Sequence, residues 1–301
     1  MNGILCVDKP QHFTSFDVIG KLRGVAKTRK IGHTGTLDPM ATGVLPLLFG
    51  EATKAADLLP RSDKCYHASF KLGITTDTQD AWGQELSRSE EKVPAAAINA
   101  ILPRFRGEIS QLPPMYSAVS VGGKRLYELA RKGIEVERQP RTVEIKKLAL
   151  LSYDPSSGAG EAEVRCSSGT YIRTLFHDIG EALGVGGIMT GLRRIEAAGF
   201  SLADCLTLEE VEKAAKDGTL PGLLIPVEAV FEPYPPCKLS EVQARLFLNG
   251  VRLDLGRLAN PPAGRCRVYG QGGAFLGLAE ADWDAKELRL KKFFHGGGKA
   301  S

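Results

Sequence analysis

Short apolar runs, separated by turns rich in glycine and proline, dominate the hydrophobic pattern of the chain. Residues 3–7 form a continuous apolar run that ends at Asp8-Lys9-Pro10, which predicts a short buried strand. Thr14 and Ser15 then offer candidate N-caps for a helix. That helix is predicted from apolar residues at helical spacing, namely Phe16, Ile19, Leu22 and Val25.

Further along, the pattern predicts a mixture of strands and helices. Alternation predicts a strand over residues 65–72, and a Pro-Ser-Ser-Gly-Ala-Gly turn joins strands 142–153 and 161–168 in a hairpin. A capping box at Thr207 opens a helix that we expect to end near Lys216. Other helices are predicted over residues 95–105, 126–131 and 174–183.

A second, smaller domain is predicted at the C-terminus. Four prolines lie within residues 226–238 without a clear period, which favours a linker. Beyond it, the pattern predicts a helix capped by Ser240 and then strands at 265–269, 274–280 and 287–294. We therefore expect one domain over residues 1–234, another over 235–295, and a mobile tail over 296–301.

Composition excludes several classes of protein but selects none. The net charge of +4 is compatible with a nucleic-acid partner without requiring one. Six cysteines occur without a C-x-x-C pair, so we expect reduced thiols in a cytoplasmic protein rather than a zinc site or disulfides. The chain has no signal-peptide pattern and no apolar run long enough to predict a transmembrane helix.

The stretch from Gly32 to Lys54 is unusually rich in glycine and proline. Glycines 32, 35, 43 and 50 and prolines 39 and 46 lie within 19 residues, as is typical of backbone that turns tightly or lets a ligand approach. Its polar first part carries one carboxylate, Asp38, with His33 five residues before it. Asp38 is either a catalytic group held on a structured loop or the structural residue of an Asx turn.

Known cofactor and metal motifs are missing. The glycine-rich stretch lacks the spacing of a phosphate-binding Walker loop, and Met189 stands where a dinucleotide fingerprint needs its last glycine. The five histidines form no paired metal motif, and no G-x-S-x-G sequence occurs. These patterns therefore support neither a nucleotide cofactor nor a metal site.

The remaining candidates for chemistry are a carboxylate, an arginine, two tyrosines and a basic helix. Arg173 could pair Asp38 and fix its direction, and Tyr66 and Tyr171 could offer flat faces to a base or could be half-buried core residues. Spacing alone does not bring these four residues together. Basic residues on the helix before the loop form either a solvated face or a phosphate-facing surface: Lys21, Arg23, Lys27, Arg29 and Lys30.

Several motifs, in order along the chain, resemble those of the bacterial tRNA pseudouridine synthase B (TruB) family. The longest is Gly32-His-Thr-Gly-Thr-Leu-Asp-Pro-Met-Ala-Thr-Gly-Val-Leu-Pro. The others are Val7-Asp-Lys-Pro-Gln, Asp63-Lys-Cys-Tyr, Pro114-Met-Tyr-Ser-Ala-Val with the following Gly-Lys-Arg-Leu-Tyr, Cys166-Ser-Ser-Gly-Thr-Tyr-Ile-Arg, and Leu192-Arg-Arg. The resemblance covers nearly all of residues 3–200 and is weaker in the C-terminal domain.

The resemblance implies an α+β fold and an RNA-modifying isomerase. The expected catalytic domain has a mixed, largely antiparallel sheet flanked by helices and an RNA-gripping insertion at about residues 112–142. The C-terminal domain would be a small, β-rich, PUA-like RNA-binding domain. The substrate would be a uridine of the tRNA T arm, at the position conventionally numbered 55. The base would be flipped out of the folded RNA and isomerised without a cofactor, by a monomer with no obligatory protein partner.

The resemblance also implies roles for individual residues. Asp38 would start glycosidic cleavage by attacking the sugar, attacking the base or removing a sugar proton, and Arg173 would be its ion-pair partner. Tyr66 would stack on the base and could take part in the later removal of the proton from carbon 5. The substrate-binding residues would be Tyr171 and Leu192 in the base pocket, His33 in the space the base vacates, and Lys9 as support from the first strand.

Two other functions are compatible with this family resemblance. The first is a non-catalytic protein of the same fold that binds or folds tRNA, which the joint presence of Asp38, Tyr66 and Arg173 argues against. The second is a guide-RNA-dependent relative, which would bring partner proteins. Activity of the chain alone on a T-arm hairpin would separate the second from an independent enzyme.

Overall fold

The computed structural model describes residues 1–294, which fold around one large and one small β-sheet. The tail predicted to be mobile, residues 296–301, lies outside the described residues. Residues up to 206 supply the strands β1 (Gly3–Lys9), β2 (Ile31–His33), β3 (Thr42–Phe49), β4 (Lys64–Leu72), β5 (Ile74–Thr76), β6 (Glu85–Arg88), β7 (Gly107–Gln111), β8 (Ser120–Val121), β9 (Lys124–Arg125), β10 (Arg141–Asp154), β11 (Ala159–Cys166), β12 (Gly187–Ala197), β13 (Phe200–Ser201) and β14 (Cys205–Leu206).

The large sheet is mixed and largely antiparallel, as predicted. Its strands follow the order β14-β1-β3-β12-β4-β11-β10-β7, with β2 added beside β3 and β13 beside β12. Among its strands in residues 1–294, only the pairings of β1 with β14 and of β3 with β12 are parallel. The remaining short strands pair in two small hairpins, β5 with β6 and β8 with β9.

The helices begin where the sequence offers caps. The described helices are α1 (Ser15–Val25), α2 (Ala95–Ile101), α3 (Leu126–Ala130), α4 (Ile172–Ala182), α5 (Leu208–Lys216) and α6 (Glu241–Leu248). Capping boxes at Thr14, Thr207 and Ser240 open α1, α5 and α6, so these predicted starts are confirmed. The helix predicted over 95–105 is α-helical only to Ile101 and continues as a 3₁₀ turn containing Pro103, which has no N–H to donate.

Strand β3 shares one of its edges between two partners. Strand β1 pairs with β3 along its whole length, from Lys9 opposite Gly43 to Gly3 opposite Phe49. The other edge pairs with β12 only at Thr42 and Gly43 and with β2 only from Leu47 onwards. The polar segment 34–41, here called the Asp38 loop, emerges where that edge changes partner. Its position is therefore set by three strands.

Strand β12 is the main element that the sequence pattern missed. The glycines at 184, 186 and 187 end α4 as expected, but the chain turns back at once and runs through the sheet from Gly187 to Ala197. Register shifts near Gly191 and Arg194 break the simple alternation of buried and exposed residues. The pattern therefore lacked the two-residue period that would have predicted a strand.

The second sheet packs against the first. Its strands follow the order β15 (Pro236–Lys238), β17 (Arg265–Tyr269), β18 (Phe275–Asp282), β19 (Glu287–Phe293) and β16 (Leu253–Asp254). At the junction, Leu278 and Phe294 join a buried cluster with Ile4, Leu48 and Phe231. We propose that residues 1–234 and residues from 235 onwards are the two domains.

The prediction that residues 226–238 form a linker is wrong. Val227–Phe231 forms a 3₁₀ helix with buried Val227, Val230 and Phe231, and Pro236–Lys238 is strand β15. The four prolines are exposed and interrupt regular periods, but the segment is held in place because Val227, Val230 and Phe231 fill the junction between the sheets. No helix within residues 1–294 is long and apolar enough to cross a membrane.

Replacing Gly43 by alanine should destabilise the fold strongly. Gly43 has φ of +103°, and a Cβ there would lie 2.1 Å from the Arg194 carbonyl oxygen across the β3–β12 pairing. We expect a loss of about 3 kcal/mol or more, measured by urea unfolding. Gly20→Ala is the matched control, since a Cβ at Gly20 in α1 meets nothing within 4 Å. That change should stabilise by about 0.5–1 kcal/mol. Equal effects of the two changes would contradict the argument.

Candidate active site

The Asp38 loop is held by hydrogen bonds to its own backbone and to neighbouring segments. The Thr34 N–H donates to the Pro46 carbonyl (3.2 Å) and the Ala41 N–H to the Asp38 carbonyl (3.0 Å). The Pro39 carbonyl accepts from the His12 N–H at 2.8 Å. The loop is thus a fixed turn, and the Asp38 side chain stays 43% exposed.

Arg194 supports the loop from the sheet. Its side chain is fully buried, and Nε donates to the Val44 carbonyl at 2.7 Å. Nη1 donates to the Thr36 carbonyl (3.3 Å) and Nη2 to the Gly35 carbonyl (3.1 Å). Within residues 1–294 it forms no ion pair with a carboxylate, and burial lowers the pKa of this guanidinium. One buried cation therefore fixes the backbone on both sides of the turn.

Lys9 and Ser15 hold the loop from the other side. Lys9 is fully buried at the end of β1, and Nζ donates to the carbonyls of Phe13 (2.5 Å), Pro10 (2.9 Å) and Pro39 (3.2 Å). The Ser15 hydroxyl accepts from the Leu37 N–H at 2.9 Å. Burial lowers the pKa of Lys9 to about 8, although the nearby Asp38 charge acts in the opposite direction. Lys9 has no exposed surface, so we propose that it supports the loop rather than contacting a substrate.

Arg173 and Asp38 meet in an ion pair. Arg173 Nε lies 3.0 Å from Asp38 Oδ2, and the arginine side chain is only 7% exposed. Nη2 donates to the Tyr116 carbonyl (2.9 Å) and Nη1 to the Thr78 carbonyl (3.1 Å), while Asp80 Oδ2 lies 3.5 Å from Nη1. Every nitrogen of the fork has a partner, so the direction in which it faces Asp38 is fixed.

Tyr66 lies in the apolar layer beside the loop. It belongs to a buried cluster with Leu37 and Ala41, against which the half-buried Leu192 packs. In the sheet, Tyr66 pairs with Arg194. Burial raises the pKa of the Tyr66 phenol to about 12, with the Arg194 charge acting in the opposite direction. Tyr66 is therefore a neutral phenol at physiological pH, with 5% of its surface exposed.

His33 stands at the end of β2, immediately before the loop. Its ring packs edge-on against the exposed Phe16, with centroids 6.2 Å apart and an interplanar angle of 89°. Nδ1 is buried and has no hydrogen-bond partner within residues 1–294. Burial lowers the pKa of His33, and the charges of Arg194 and Lys64 act in the same direction. His33 is therefore neutral and presents a largely apolar ring.

Tyr171 precedes α4, two residues before Arg173. Its backbone N–H donates to Gln111 Oε1 (3.0 Å), and Gln111 Nε2 donates to its carbonyl (3.2 Å). Gln111 is buried at the end of β7, so this pair ties the start of α4 to the far edge of the sheet. The tyrosine side chain is half-buried.

Sequence analysis missed three residues that build this site: Arg194, Asp80 and Gln111. The Leu192-Arg-Arg motif was a signal for Arg194, but its carbonyl partners lie about 150 residues away in the chain. Asp80 lies in the polar stretch 75–83, where several acidic and amide side chains are equivalent in sequence. Only the fold distinguishes Asp80, which alone of these faces Arg173 at ion-pair distance within the described chain.

The arrangement can perform carboxylate chemistry on an approaching substrate. A half-exposed carboxylate is oriented by a buried guanidinium beside an apolar wall that includes Tyr66 and Leu192. No cluster of three His, Cys, Asp or Glu residues suited to a metal occurs in residues 1–294. The expectation that no cofactor takes part stays a prediction.

Family models match three consecutive parts of the chain. Residues 23–172 match the model for "TruB family pseudouridylate synthase (N terminal domain)". Residues 173–232 match "tRNA pseudouridylate synthase B C-terminal domain", and residues 235–286 match "Pseudouridine synthase II TruB, C-terminal".

Curated relatives and solved structures give similar results. The chain is 44% identical over 289 residues to tRNA pseudouridine synthase B of Pseudomonas fluorescens (strain Pf0-1), covering 95% of this chain and 93% of that protein. It is 45% identical over 292 residues to tRNA pseudouridine synthase B of Azoarcus sp. (strain BH72), covering 97% and 94%. A chain in the crystal structure of a Cbf5-Nop10-Gar1 complex is similar in fold, with a TM-score of 0.75 at 25% identity, covering 97% of this chain and 85% of that one.

Replacing Lys9 by methionine should change how stability depends on pH. The pKa of Lys9 is about 8 in the fold against an ordinary value of 10.5, so above pH 8 the unfolded chain binds more protons. The wild-type free energy of unfolding should therefore rise relative to Lys9→Met between about pH 8 and 10.5. The rise should reach about 3 kcal/mol, because one pKa unit corresponds to about 1.4 kcal/mol. Urea unfolding at several pH values measures it, and a difference independent of pH would contradict it.

Proposed function

Because the chain belongs to the TruB family of pseudouridylate synthases, we propose that it is a tRNA pseudouridine synthase acting on the T-arm uridine conventionally numbered 55. Two relatives with more than 40% identity over most of the chain carry the name tRNA pseudouridine synthase B, which supports tRNA as the substrate. The enzyme is an isomerase, since pseudouridine contains the same atoms as uridine.

The observation that carries this proposal is the ion pair between Asp38 and Arg173. Uridine isomerisation breaks the bond from N1 of uracil to C1′ of ribose and forms a bond from C5 to C1′. A proton leaves C5 and one is gained at N1, so the atoms balance. The step that breaks the N1–C1′ bond leaves an electron-poor carbon, which a nearby carboxylate can stabilise or trap. Asp38 is exposed enough to reach that carbon, while buried Arg173 fixes its direction.

The remaining residues are proposed to shape the base pocket. Tyr66 and Leu192 form an apolar wall beside the loop, and Tyr171 stands at the start of α4. With 5% of Tyr66 exposed, stacking of its whole ring on a base requires side chains around it to move when RNA binds. The Tyr66 phenol is neutral and is therefore not itself the base that removes the C5 proton. A second group must accept this proton, either by way of the Tyr66 hydroxyl or from a position beside Tyr66.

A flipped base leaves a gap in the RNA, and His33 is proposed to fill it. The neutral ring of His33, backed edge-on by Phe16, offers an apolar surface at the entrance to the loop. Unstacking a base costs a few kcal/mol, which such a contact can offset. Lys9 contributes indirectly by fixing the Pro39 carbonyl beside Asp38.

Part of the RNA grip is proposed to lie on α1 and the turn after it. Of the basic residues there, Lys21 is paired with Glu212 and Lys30 with Glu51. Arg23, Lys27 and Arg29 are exposed and form no ion pair within residues 1–294. They are therefore available to phosphodiester groups, with an affinity that falls as salt rises. Further contacts would come from the insertion at residues 112–142 and from the PUA-like domain. We propose that the enzyme acts as a cytoplasmic monomer without a cofactor.

Asp38→Asn should abolish isomerisation while leaving RNA bound. The amide keeps the size of the side chain but loses the charge, so the single-turnover rate on a T-arm hairpin should fall by about a thousandfold or more. The Kd for the hairpin should stay within about threefold. Pseudouridine mapping on an unmodified tRNA transcript measures the first quantity, and filter binding measures the second.

Asp284→Asn provides the control for this test, because Asp284 is exposed in the turn between β18 and β19. The control should match the wild type in both assays. Pseudouridine formation by Asp38→Asn at a normal rate would overturn the proposed role. Wild-type protein that binds the hairpin without modifying it would instead favour a non-catalytic tRNA-binding protein or a guide-dependent enzyme.

A further inference from the structure

A cavity of about 230 Å³ lies beside the Asp38 loop and takes no part in the chemistry proposed above. Three segments that bear site residues meet in its wall. Thr34 begins the Asp38 loop, Lys64 lies two residues before Tyr66 on β4, and Ser168 lies three residues before Tyr171. Whatever occupies the cavity is therefore close to the backbone that holds the catalytic groups.

Lys64 is the distinctive residue of this cavity, here called the Lys64 cavity. Its side chain is half-buried, yet it forms neither an ion pair nor a hydrogen bond within residues 1–294. The ammonium group packs against Gly35, where a Cβ would lie 3.0 Å from Nζ and 3.7 Å from Arg194 Nη1. Burial lowers the pKa of Lys64, and the charge of Arg194 acts in the same direction. A cation held beside another cation, without an anion, is unfavourable unless a ligand supplies one.

The other polar groups of the cavity suit an oxyanion. Thr34, Ser62 and Ser168 line the same cavity as Lys64, Ser62 and Ser168 being exposed, and none of the three hydroxyl groups donates a hydrogen bond to residues 1–294. Arg61 adds a second cation, although Glu232 contacts it at 3.4 Å. The wall contains one carboxylate, Asp57, which is exposed, so solvent screens its charge. No aromatic residue lines the wall, so a stacked base has no platform there.

We propose that the Lys64 cavity binds a phosphodiester group of the RNA strand next to the target uridine, with Lys64 as its cation and the three hydroxyl groups as donors. This inference rests on the proposed function, because it takes RNA as the ligand. A phosphate held between Thr34 and Ser168 fixes the sugar attached to it relative to the Asp38 loop. Lys64 is then a positioning residue, which acts on the reaction through the placement of the nucleotide.

The first test compares the salt dependence of RNA binding in Lys64→Gln and wild type. Loss of one phosphate contact should weaken binding of a T-arm hairpin about tenfold and reduce the slope of log Kd against log salt by about one. Lys147→Gln is the control, since Lys147 is 53% exposed and paired with Glu163 on the same sheet. It should leave the slope unchanged. An unchanged slope in Lys64→Gln would overturn the proposal.

A companion variant, Asp57→Asn, should act in the opposite direction. Removing the one carboxylate of the cavity wall should tighten hairpin binding about two- to threefold if the ligand is an anion. Weaker binding by this variant would overturn an anionic ligand. The urea midpoint of Lys64→Gln should equal or exceed that of the wild type, because the change removes a half-buried cation that has no partner within the described chain. A large loss of stability would assign Lys64 a structural role instead.

The second test locates the phosphate. In a series of hairpins, one phosphodiester near the target uridine at a time is replaced by a neutral methylphosphonate. Wild-type protein should lose about tenfold in affinity or single-turnover rate at one position, and Lys64→Gln should be insensitive at that same position. Additive losses at every position would overturn the proposal.

Binding of inorganic phosphate tests whether the Lys64 cavity holds free phosphate rather than a phosphodiester group of RNA. If Lys64→Gln weakens binding of inorganic phosphate but keeps the wild-type RNA affinity, salt slope and methylphosphonate profile, the cavity holds free phosphate and the RNA proposal is wrong. These binding measurements do not depend on catalysis. A protein that formed no pseudouridine would contradict the proposed function while the same data still decided what the Lys64 cavity binds.

Discussion

The rest of the site depends on the hydrogen bonds that the buried guanidinium of Arg194 donates to backbone carbonyls. The guanidinium donates to backbone carbonyls on β3 and on both residues that lead into the turn before Asp38, and it is fully buried. Burying a cation without a carboxylate partner is costly, and here hydrogen bonds to backbone carbonyls compensate for part of that cost. The loop and the strand beneath it are therefore stable only together, and Gly43 gives the backbone of β12 the space to approach.

Charge is distributed unevenly around the Asp38 loop. Lys9, Arg194 and Lys64 are cations buried or half-buried around it, and Arg173 reaches it from α4. Within residues 1–294, Asp38 and Asp80 are the carboxylates that contact Arg173. A surplus of positive charge around one carboxylate favours the binding of a polyanion, because it attracts phosphate groups.

A feature of the fold could be predicted from the sequence when the residues that determine it lie close together along the chain. The starts of α1, α5 and α6 were predictable because a capping box lies within four residues of sequence. The hairpin β10–β11 was predictable because its turn residues are contiguous. The failures were non-local: β12 takes its irregular pattern from register shifts against β4, and residues 226–238 are ordered by packing between two sheets.

The candidate site divides in the same way. The motifs indicated Asp38 and Arg173 together, but the resemblance, not the spacing, connected them. The parts of the site without a sequence signal are those whose partners are distant, such as Asp80 against Arg173 and Gln111 against the Tyr171 backbone. A lysine that has no partner within the described chain also has no signature in sequence, because exposure and pairing are properties of the fold. Lys64 lies in the motif Asp63-Lys-Cys-Tyr, in which Tyr66 was the residue with an expected role. Only the fold shows that Gly35 and Arg194 lie beside Lys64.

Strand β1 links the Asp38 loop to the C-terminal sheet. Alternation along it directs Ile4 and Cys6 into the cluster shared with Phe231 and Leu278, whereas Leu5 and Val7 face the helices α1 and α5. The strand then ends in Lys9, which holds the Pro39 carbonyl. One strand is therefore common to both cores and to the support of Asp38. Cutting the chain near residue 235 would remove Leu278 and Phe294 from the packing of Ile4, so a truncated protein would lose more than an RNA-binding surface. A test of the proposed contribution of residues from 235 onwards to RNA binding therefore needs changes to exposed side chains that leave this cluster intact.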